Sequence, residues 1–205
     1  MTSTSSTTTR PSGRTLSWRV VDIVVASVVA VACAVIFIAW IPLSEGPATL
    51  LKPLLPGFQG ILNGPWLIAG PLAGLIVRKP GAALYAELVA AAIELLVFPY
   101  YGGLVLVSGL IQGLGAEIVF AVVLYRAFNP VVALLAGAGA GVAETFLDVP
   151  VYYAGATWAF AIVYGITTIV SGAVIGLLCA PIVRAIAATG VLDRFASGRA
   201  ARRAV

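Results

Sequence analysis

Residues 20–41 read VVDIVVASVVAVACAVIFIAWI, an apolar run long enough to cross a lipid bilayer as one helix. No convincing signal-peptide cleavage site follows it, so the run is predicted to stay in the protein as a membrane span. The whole chain has the same character: 61% of its 205 residues are hydrophobic, 10% are charged, and the mean hydropathy is +1.08. Soluble domains carry roughly 25% charged residues. This composition predicts an integral membrane protein and excludes a compact water-soluble core.

Five further apolar segments complete the pattern, which predicts an all-α membrane protein, a bundle of six transmembrane helices. The predicted spans are Val20–Ile41, Phe58–Val77, Ala82–Phe98, Leu104–Tyr125, Val131–Val149 and Trp158–Ile186. The second contains Pro65 and Pro71, an interruption that membranes tolerate where the backbone is buried in protein or lines a cavity. Residues 1–17 are predicted to be a disordered cytoplasmic tail, 18–187 the membrane domain, and 188–205 a basic cytoplasmic tail.

The distribution of basic residues predicts the orientation in the membrane. With the N-terminus in the cytoplasm, eleven of the twelve Lys and Arg residues fall inside, and Lys52 alone falls outside. Such a bias follows the positive-inside rule, so both termini are predicted to be cytoplasmic. The outer segments are then 42–57, 99–103 and 150–157. Because the basic residues are spread between spans and not gathered in one patch, no nucleic-acid partner is expected.

Acidic residues inside the predicted spans demand an explanation. A carboxylate near the middle of a span costs about 2.5–3.5 kcal/mol even on a lenient scale. The acids in question are Glu87, Glu94, Glu117, Glu144 and Asp148. No Lys or Arg lies within the spans to pair with them. Their partners must therefore be hydrogen bonds, a shared proton, water, or a ligand that comes from outside.

Helical rise groups some of these polar residues at one level in the outer half of the membrane. Glu94, Gln112 and Glu144 reach a similar height on three different spans. Asn63 and Trp66, on either side of the proline that breaks the second span, are predicted to join them in one pocket. Further aromatic residues near the outer edges fit two interpretations, an interfacial belt or rings that stack on a flat ligand. These are Tyr101, Tyr152 and Trp158.

Other residues fit packing as well as function. Glu117 shares a helix face with Gly109 and Gly113, which favours a structural carboxylate bonded between helices, whereas Glu87 leaves both readings open. A stripe of small residues on the first span fits either internal packing or a docking surface for a separate membrane subunit. The stripe consists of Ala26, Ala30 and Ala34. The chain has no histidine, which excludes His-based zinc sites and Ser–His catalysis, and no cofactor is predicted.

Two stretches resemble a known family. Residues 78–84, RKPGAAL, followed by Glu87 and Glu94, are similar to the loop and third helix of the YkoE family, and residues 109–117, GLIQGLGAE, are similar to its fourth helix. The resemblance spans roughly residues 18–187. YkoE proteins are substrate-binding S components of energy-coupling factor (ECF) transporters in the bacterial plasma membrane.

The resemblance implies six helices, capture of a vitamin from outside, and no ATP hydrolysis by this chain. A transmembrane coupling protein and cytosolic ATPase subunits are the implied partners, and thiamine or its hydroxymethylpyrimidine moiety is the implied substrate. The family's Ala-x-x-x-Ala motif matches Ala26 and Ala30, which would then contact the coupling protein. For such a ligand, Glu94 and Glu144 are the expected carboxylate contacts and Gln112 and Asn63 the amide contacts.

Two other classes of function compete with this interpretation. One is a self-sufficient secondary transporter of a small cationic solute, driven by protons through a relay of Glu87, Glu94 and Glu117. No inverted repeat is evident in the six spans, which disfavours it. The other is a membrane enzyme, which without histidine would need a carboxylate pair or a Ser–Lys site, and no Lys lies within a span.

Overall fold

The computed structural model describes residues 16–99, 102–193, 195 and 197–198. In this part of the chain the regular structure is entirely helical. The elements are α1 Val20–Leu54, a 3-10 helix Phe58–Leu67, α2 Ala69–Val77, α3 Ala82–Val97, α4 Leu104–Val122, α5 Pro130–Tyr152 and α6 Trp158–Ala188. The predicted N-terminal tail and most of the C-terminal tail lie outside the described residues.

Five of the described segments are long and apolar enough to cross a membrane: α1, the 3-10 helix together with α2, α4, α5 and α6. The helix α3 has 16 residues and lies against α1, α2 and α4. At a rise of 1.5 Å per residue it reaches about 24 Å, somewhat less than the hydrocarbon core.

Helix α1 extends well beyond its predicted end. It has 35 residues and continues to Leu54 through three prolines, so most of the predicted outer loop 42–57 is helical. Each proline removes only one intrahelical hydrogen bond, and side chains hold the helix in place near the first of them. The Trp40 indole donates to the Leu62 carbonyl at 2.8 Å, and the buried Ser44 hydroxyl donates to the Ile41 carbonyl at 3.0 Å.

Helix α2 is the centre of the bundle. All nine of its residues are buried, and it contacts α1, α3, α4, α5 and α6. The 3-10 helix leads into it and packs mainly against α6 and α1. The predicted second span is therefore a broken element, 3-10 in its first half and α-helical in its second.

Hydroxyl groups of α6 satisfy the backbone of the 3-10 helix. The Gly64 N–H donates to the Ser171 hydroxyl at 2.8 Å, and that hydroxyl donates to the Ile61 carbonyl at 2.6 Å. The Thr168 hydroxyl donates to the Gly60 carbonyl at 3.4 Å. A Cβ at Gly60 would lie 2.6 Å from two threonine hydroxyls of α6, so only glycine permits this approach. Irregular backbone at membrane depth is thus buried in protein and paired.

Glycine also sets the spacing of α4, α5 and α6. A Cβ at Gly141 would lie 2.8 Å from the Thr168 carbonyl oxygen on α6, and one at Gly139 would lie 2.7 Å from the Gly115 carbonyl oxygen on α4. These helices therefore pack with their backbones in close approach, which small residues at a helix interface permit.

Several connections gather at one end of the bundle, where α1 begins and α2 meets α3. The Trp18 indole donates to the Pro80 carbonyl at 2.8 Å. Asp22, in the first turn of α1, is fully buried and forms ion pairs with Arg19 and Lys79. Phe195, from the segment that follows α6, is buried beneath the Arg19 guanidinium. Both ends of the described part of the chain therefore lie at this end of the bundle.

Candidate functional site

A cavity of about 350 Å³ lies among α1, the 3-10 helix, α3, α4, α5 and α6. Its wall combines apolar, aromatic, amide and carboxylate side chains. The lining residues are Phe37, Ile41, Asn63, Trp66, Leu67, Ala91, Glu94, Val105, Ser108, Gly109, Gln112, Glu144, Asp148, Tyr152, Tyr153 and Tyr164. Small-molecule sites in proteins are typically concave, largely apolar and about 300–1,000 Å³ in volume, so this cavity has the size and composition of a ligand site.

One side of the cavity pairs an acid with an aromatic ring. Glu94, on α3, is 7% exposed and is hydrogen-bonded by the Trp66 side chain of the 3-10 helix. Trp66 follows Pro65 in the last turn of the 3-10 helix and, like Glu94, lines the cavity. The indole ring therefore lies beside the carboxylate at the cavity wall.

The opposite side carries two acids from one turn of α5. Glu144 and Asp148 are four residues apart, so they share a helix face, and they interact with each other. The Tyr164 hydroxyl of α6 donates to Asp148, and the Asn63 amide donates in turn to the Tyr164 hydroxyl at 2.7 Å and the Thr168 hydroxyl at 3.2 Å. Four polar groups from three elements are thus joined in one network.

Glu144 has a carboxylate oxygen that the described protein leaves unsatisfied. Gln112, on α4, interacts with the Glu144 side chain. The Oε2 atom of Glu144 is nevertheless buried without a partner among the described residues. Glu144 is 7% exposed and lines the cavity. Buried polar atoms are nearly always paired, so an unpaired one in a cavity wall marks a place for a ligand atom.

Tyrosines complete the wall next to the acids. Tyr152 interacts with Ser108 of α4 and with the charges of all three cavity acids. Tyr153, just beyond α5, lies with its ring centroid 4.9 Å from that of Tyr164. Burial raises the pKa of the Tyr153 phenol above its ordinary value, so at neutral pH it is an uncharged hydrogen-bonding group.

The structure places six of the predicted site residues on the wall of this one cavity: Asn63, Trp66, Glu94, Gln112, Glu144 and Tyr152. Their roles as ligand contacts stay predictions. Trp158 does not line the cavity. It begins α6 and is 86% exposed, which fits the interfacial belt, the other interpretation of this residue. Tyr101 lies outside the described residues.

The sequence analysis did not assign a ligand contact to several wall residues, among them Asp148, which it grouped with Glu144 on one helix face, and Tyr153 and Tyr164. Asp148 was recognisable, because it lies one turn from Glu144 on the same face. Tyr164 has no such signal, because nothing in its neighbourhood in the sequence shows that α6 turns this hydroxyl toward Asp148.

The remaining two acids are bonded to helix ends outside the cavity wall. Glu87 is fully buried, and its Oε1 accepts from the Gly70 N–H at 2.7 Å, near the start of α2. Glu117, on α4, accepts from the N–H groups of Gly81 and Ala83 at 2.6 and 3.0 Å, at the start of α3, and from the Tyr125 hydroxyl. Both carboxylates meet N–H groups that a helix start leaves unpaired.

The alanine stripe of α1 does not form an exposed surface. Ala26, Ala30 and Ala34 are all 0% exposed and belong to the apolar core. Side chains without exposure cannot contact a separate subunit in this arrangement. Internal packing, one of the two interpretations of the stripe, fits this arrangement, and contact with a coupling protein stays a prediction.

Within the described residues, no group of three or more His, Cys, Asp or Glu side chains is arranged to hold a metal ion. Cys33 and Cys179 are buried free thiols.

Each of three comparisons with known proteins matches this chain to a transporter component. Residues 21–143 match the family model described as "ABC-type cobalt transport system, permease component". The chain is 35% identical over 185 residues to the putative HMP/thiamine permease protein YkoE of Bacillus subtilis (strain 168), covering 89% of this chain and 92% of the relative. It also resembles a crystal structure described as an S-component of an ECF transporter, with a TM-score of 0.82 and 34% identity over 91% of this chain and 94% of the other.

Proposed function

This chain belongs to the family of YkoE-like S components of ECF transporters, multi-pass proteins of the bacterial plasma membrane, and on that premise we propose that its cavity captures thiamine or the hydroxymethylpyrimidine moiety of thiamine for import. The substrate is taken from the name of the Bacillus subtilis relative, and the cavity chemistry supports it. The observation that carries the proposal is the buried, unpartnered Oε2 of Glu144 in the cavity wall.

The charge of the cavity suits an organic cation. Glu94, Glu144 and Asp148 line it, and none of its described lining residues is Lys or Arg. Thiamine carries a permanently cationic thiazolium ring, which needs anionic partners when it leaves water. Aromatic faces such as Trp66 add roughly 0.5–2 kcal/mol for a cation above the ring.

The amides suit the aminopyrimidine ring, which offers an amine donor and ring-nitrogen acceptors. Gln112 and a carboxylate match these groups as donor and acceptor. The Nδ2 of Asn63 already donates to Tyr164 and Thr168, so its carbonyl oxygen is the atom left to contact the ligand. We propose that Asn63 makes this contact and also holds Tyr164 in place.

The family implies that energy comes from other subunits, and we propose a transmembrane coupling protein and cytosolic ATPases as partners. A relay through Glu87, Glu94 and Glu117 for proton-driven transport by the chain alone is poorly supported, because Glu117 is engaged in capping α3. In the proposed topology residues 18–187 form the membrane domain. It crosses six times, with α3 as one crossing and both termini in the cytoplasm.

Three measurements test this function. Mass spectrometry of small molecules retained through purification in detergent should identify thiamine or its pyrimidine, and titration calorimetry should show binding of the same compound. Uptake into cells should require coexpressed ATPase and coupling subunits. Uptake by the chain alone would contradict the S-component role and favour the secondary transporter, and failure to bind either compound would refute the substrate.

A further inference from the structure

The two acids of α5 face the same small cavity. Glu144 and Asp148 are four residues apart on one helix face, and they line the cavity with 7% and 6% exposure. Two carboxylates that share a buried site disfavour each other's charge, so one of them holds a proton more readily. The arrangement therefore favours a carboxyl group beside a carboxylate.

The surroundings of the pair supply hydrogen bonds and further negative charge. Tyr164 of α6 donates to Asp148, and Gln112 of α4 contacts Glu144. The titratable groups that face the pair are Tyr152 and Tyr153 from the end of α5, Tyr164, and Glu94 and Glu87 of α3. From α4 and the 3-10 helix come only Gln112, Ser108 and Asn63, which do not titrate. No cation among the described wall residues compensates a second charge.

A second charge on the pair is costly without a ligand. Two negative charges in one buried wall repel each other strongly, because the protein interior screens them much less than water does. An organic cation in the cavity would replace that repulsion with attraction to both carboxylates. The cavity wall already holds an acceptor for it, the unpartnered Oε2 of Glu144.

We infer that Glu144 and Asp148 share one proton in the ligand-free protein, and that a permanent organic cation displaces it, so that capture at this site exchanges a cation for a proton. This inference rests on the proposed function. The O–H bond of the pair breaks, the proton passes to water at the cavity mouth, and the cation then lies against two carboxylates. The net charge of the occupied cavity equals that of the empty one.

Proton exchange makes two measurable predictions. Thiamine, used as the permanent cation, should release about one proton per molecule bound near pH 7, and its affinity should rise about tenfold per pH unit while the pair remains singly protonated. Titration calorimetry of the full chain in buffers with different ionisation heats gives the number of protons directly. Identical heats in all buffers, with binding intact, would overturn the inference while leaving the proposed function standing.

Variants locate the proton. Asp148→Asn retains an acceptor for the Tyr164 hydroxyl but removes one acid, so the proton release should fall toward zero. A full proton released by this variant would overturn the assignment to the pair. Glu45→Gln, which changes an exposed acid on α1 away from the cavity, is the matched control and should release as many protons as the wild type.

The shared proton can also be tested without a ligand. Infrared difference spectra near pH 7 between the wild type and the double variant Glu144→Gln/Asp148→Asn should show one protonated carboxyl group present only in the wild type. Its absence would overturn the inference. A protein that shows this group but binds no thiamine would retain the shared proton and refute the proposed substrate instead.

Discussion

At the scale of single residues, the protein uses its buried acids in two different ways. Glu94, Glu144 and Asp148 face the cavity, whereas Glu87 and Glu117 accept hydrogen bonds from N–H groups at the starts of α2 and α3. The sequence shows that all five are costly in a membrane span. Depth along the helices separates them only in part, because it does not show which neighbouring backbone each carboxylate meets.

Glu94 provides the simplest test of the cavity wall. Glu94→Gln removes the charge but keeps the size of the side chain and its oxygen acceptor for Trp66. Because a hydrogen bond to a charged group contributes about 1.5–3 kcal/mol, thiamine affinity should fall about 10- to 150-fold in titration calorimetry of the detergent-purified protein. Glu45→Gln serves as control, and an unchanged affinity for Glu94→Gln would remove Glu94 from the site.

Glu87 should matter for stability through its hydrogen bond. Glu87→Gln retains an oxygen that can accept from the Gly70 N–H, whereas Glu87→Leu has similar bulk and leaves that N–H unpaired. An unsatisfied buried donor costs about 1–3 kcal/mol. Thermal unfolding in detergent should therefore show a lower midpoint for the leucine variant than for the glutamine variant. Equal midpoints would mean that the hydrogen bond between Glu87 and the Gly70 N–H contributes little to stability.

At the scale of elements, the break in the second span determines where the site forms. The 3-10 helix presents Asn63 and Trp66 to the cavity, and α6 holds its backbone by hydroxyl groups. Pro65 and Pro71 predict an interruption there. They do not predict its 3-10 geometry, because that depends on Thr168 and Ser171, which lie more than one hundred residues later in the chain.

Ser171 tests this dependence of the site on α6. Ser171→Ala removes an acceptor for the Gly64 N–H and a donor to the Ile61 carbonyl. Loss of these bonds should lower the free energy of unfolding by about 1–3 kcal/mol and weaken ligand binding, although Ser171 does not line the cavity.

Thr49→Ala is the matched control for that variant. Thr49 lies near the exposed end of α1, where its hydroxyl bonds only the preceding turn of its own helix. The change should alter the free energy of unfolding by less than about 0.5 kcal/mol. If Ser171→Ala unfolds and binds thiamine like Thr49→Ala, the hydroxyls of α6 do not determine the geometry of the 3-10 helix.

The first helix shows what a local reading of the sequence misses. Pro42 and the prolines after it predict a loop, yet α1 continues to Leu54, since the contacts of Trp40 and Ser44 hold the backbone near the first proline. Ala26, Ala30 and Ala34 form a recognisable stripe, but the stripe alone does not reveal which helix covers it. In the structure these residues lie in the core, and α1 packs against α3.

At the scale of the whole molecule, the basic residues and the helix ends define one side of the bundle. Trp18, Lys79 and Phe195 gather at the end where α1 begins, and Glu117 ties the start of α3 to the same region. The positive-inside rule predicts that this end lies in the cytoplasm. The turn between α5 and α6, which includes Ala156, is then predicted to lie at the outer face.

Cysteine accessibility tests that topology. Single cysteines at Ser17, Ala127 and Ala156, in a background with Cys33 and Cys179 replaced, should label differently with a membrane-impermeant thiol reagent. Ala156→Cys should react in intact cells, because six crossings put the α5–α6 turn outside. The other two should react only after the membrane is opened, because the start of α1 and the α4–α5 turn then lie in the cytoplasm. If α3 did not cross, Ser17→Cys and Ala127→Cys would label from opposite sides, and the proposed count of six would be wrong.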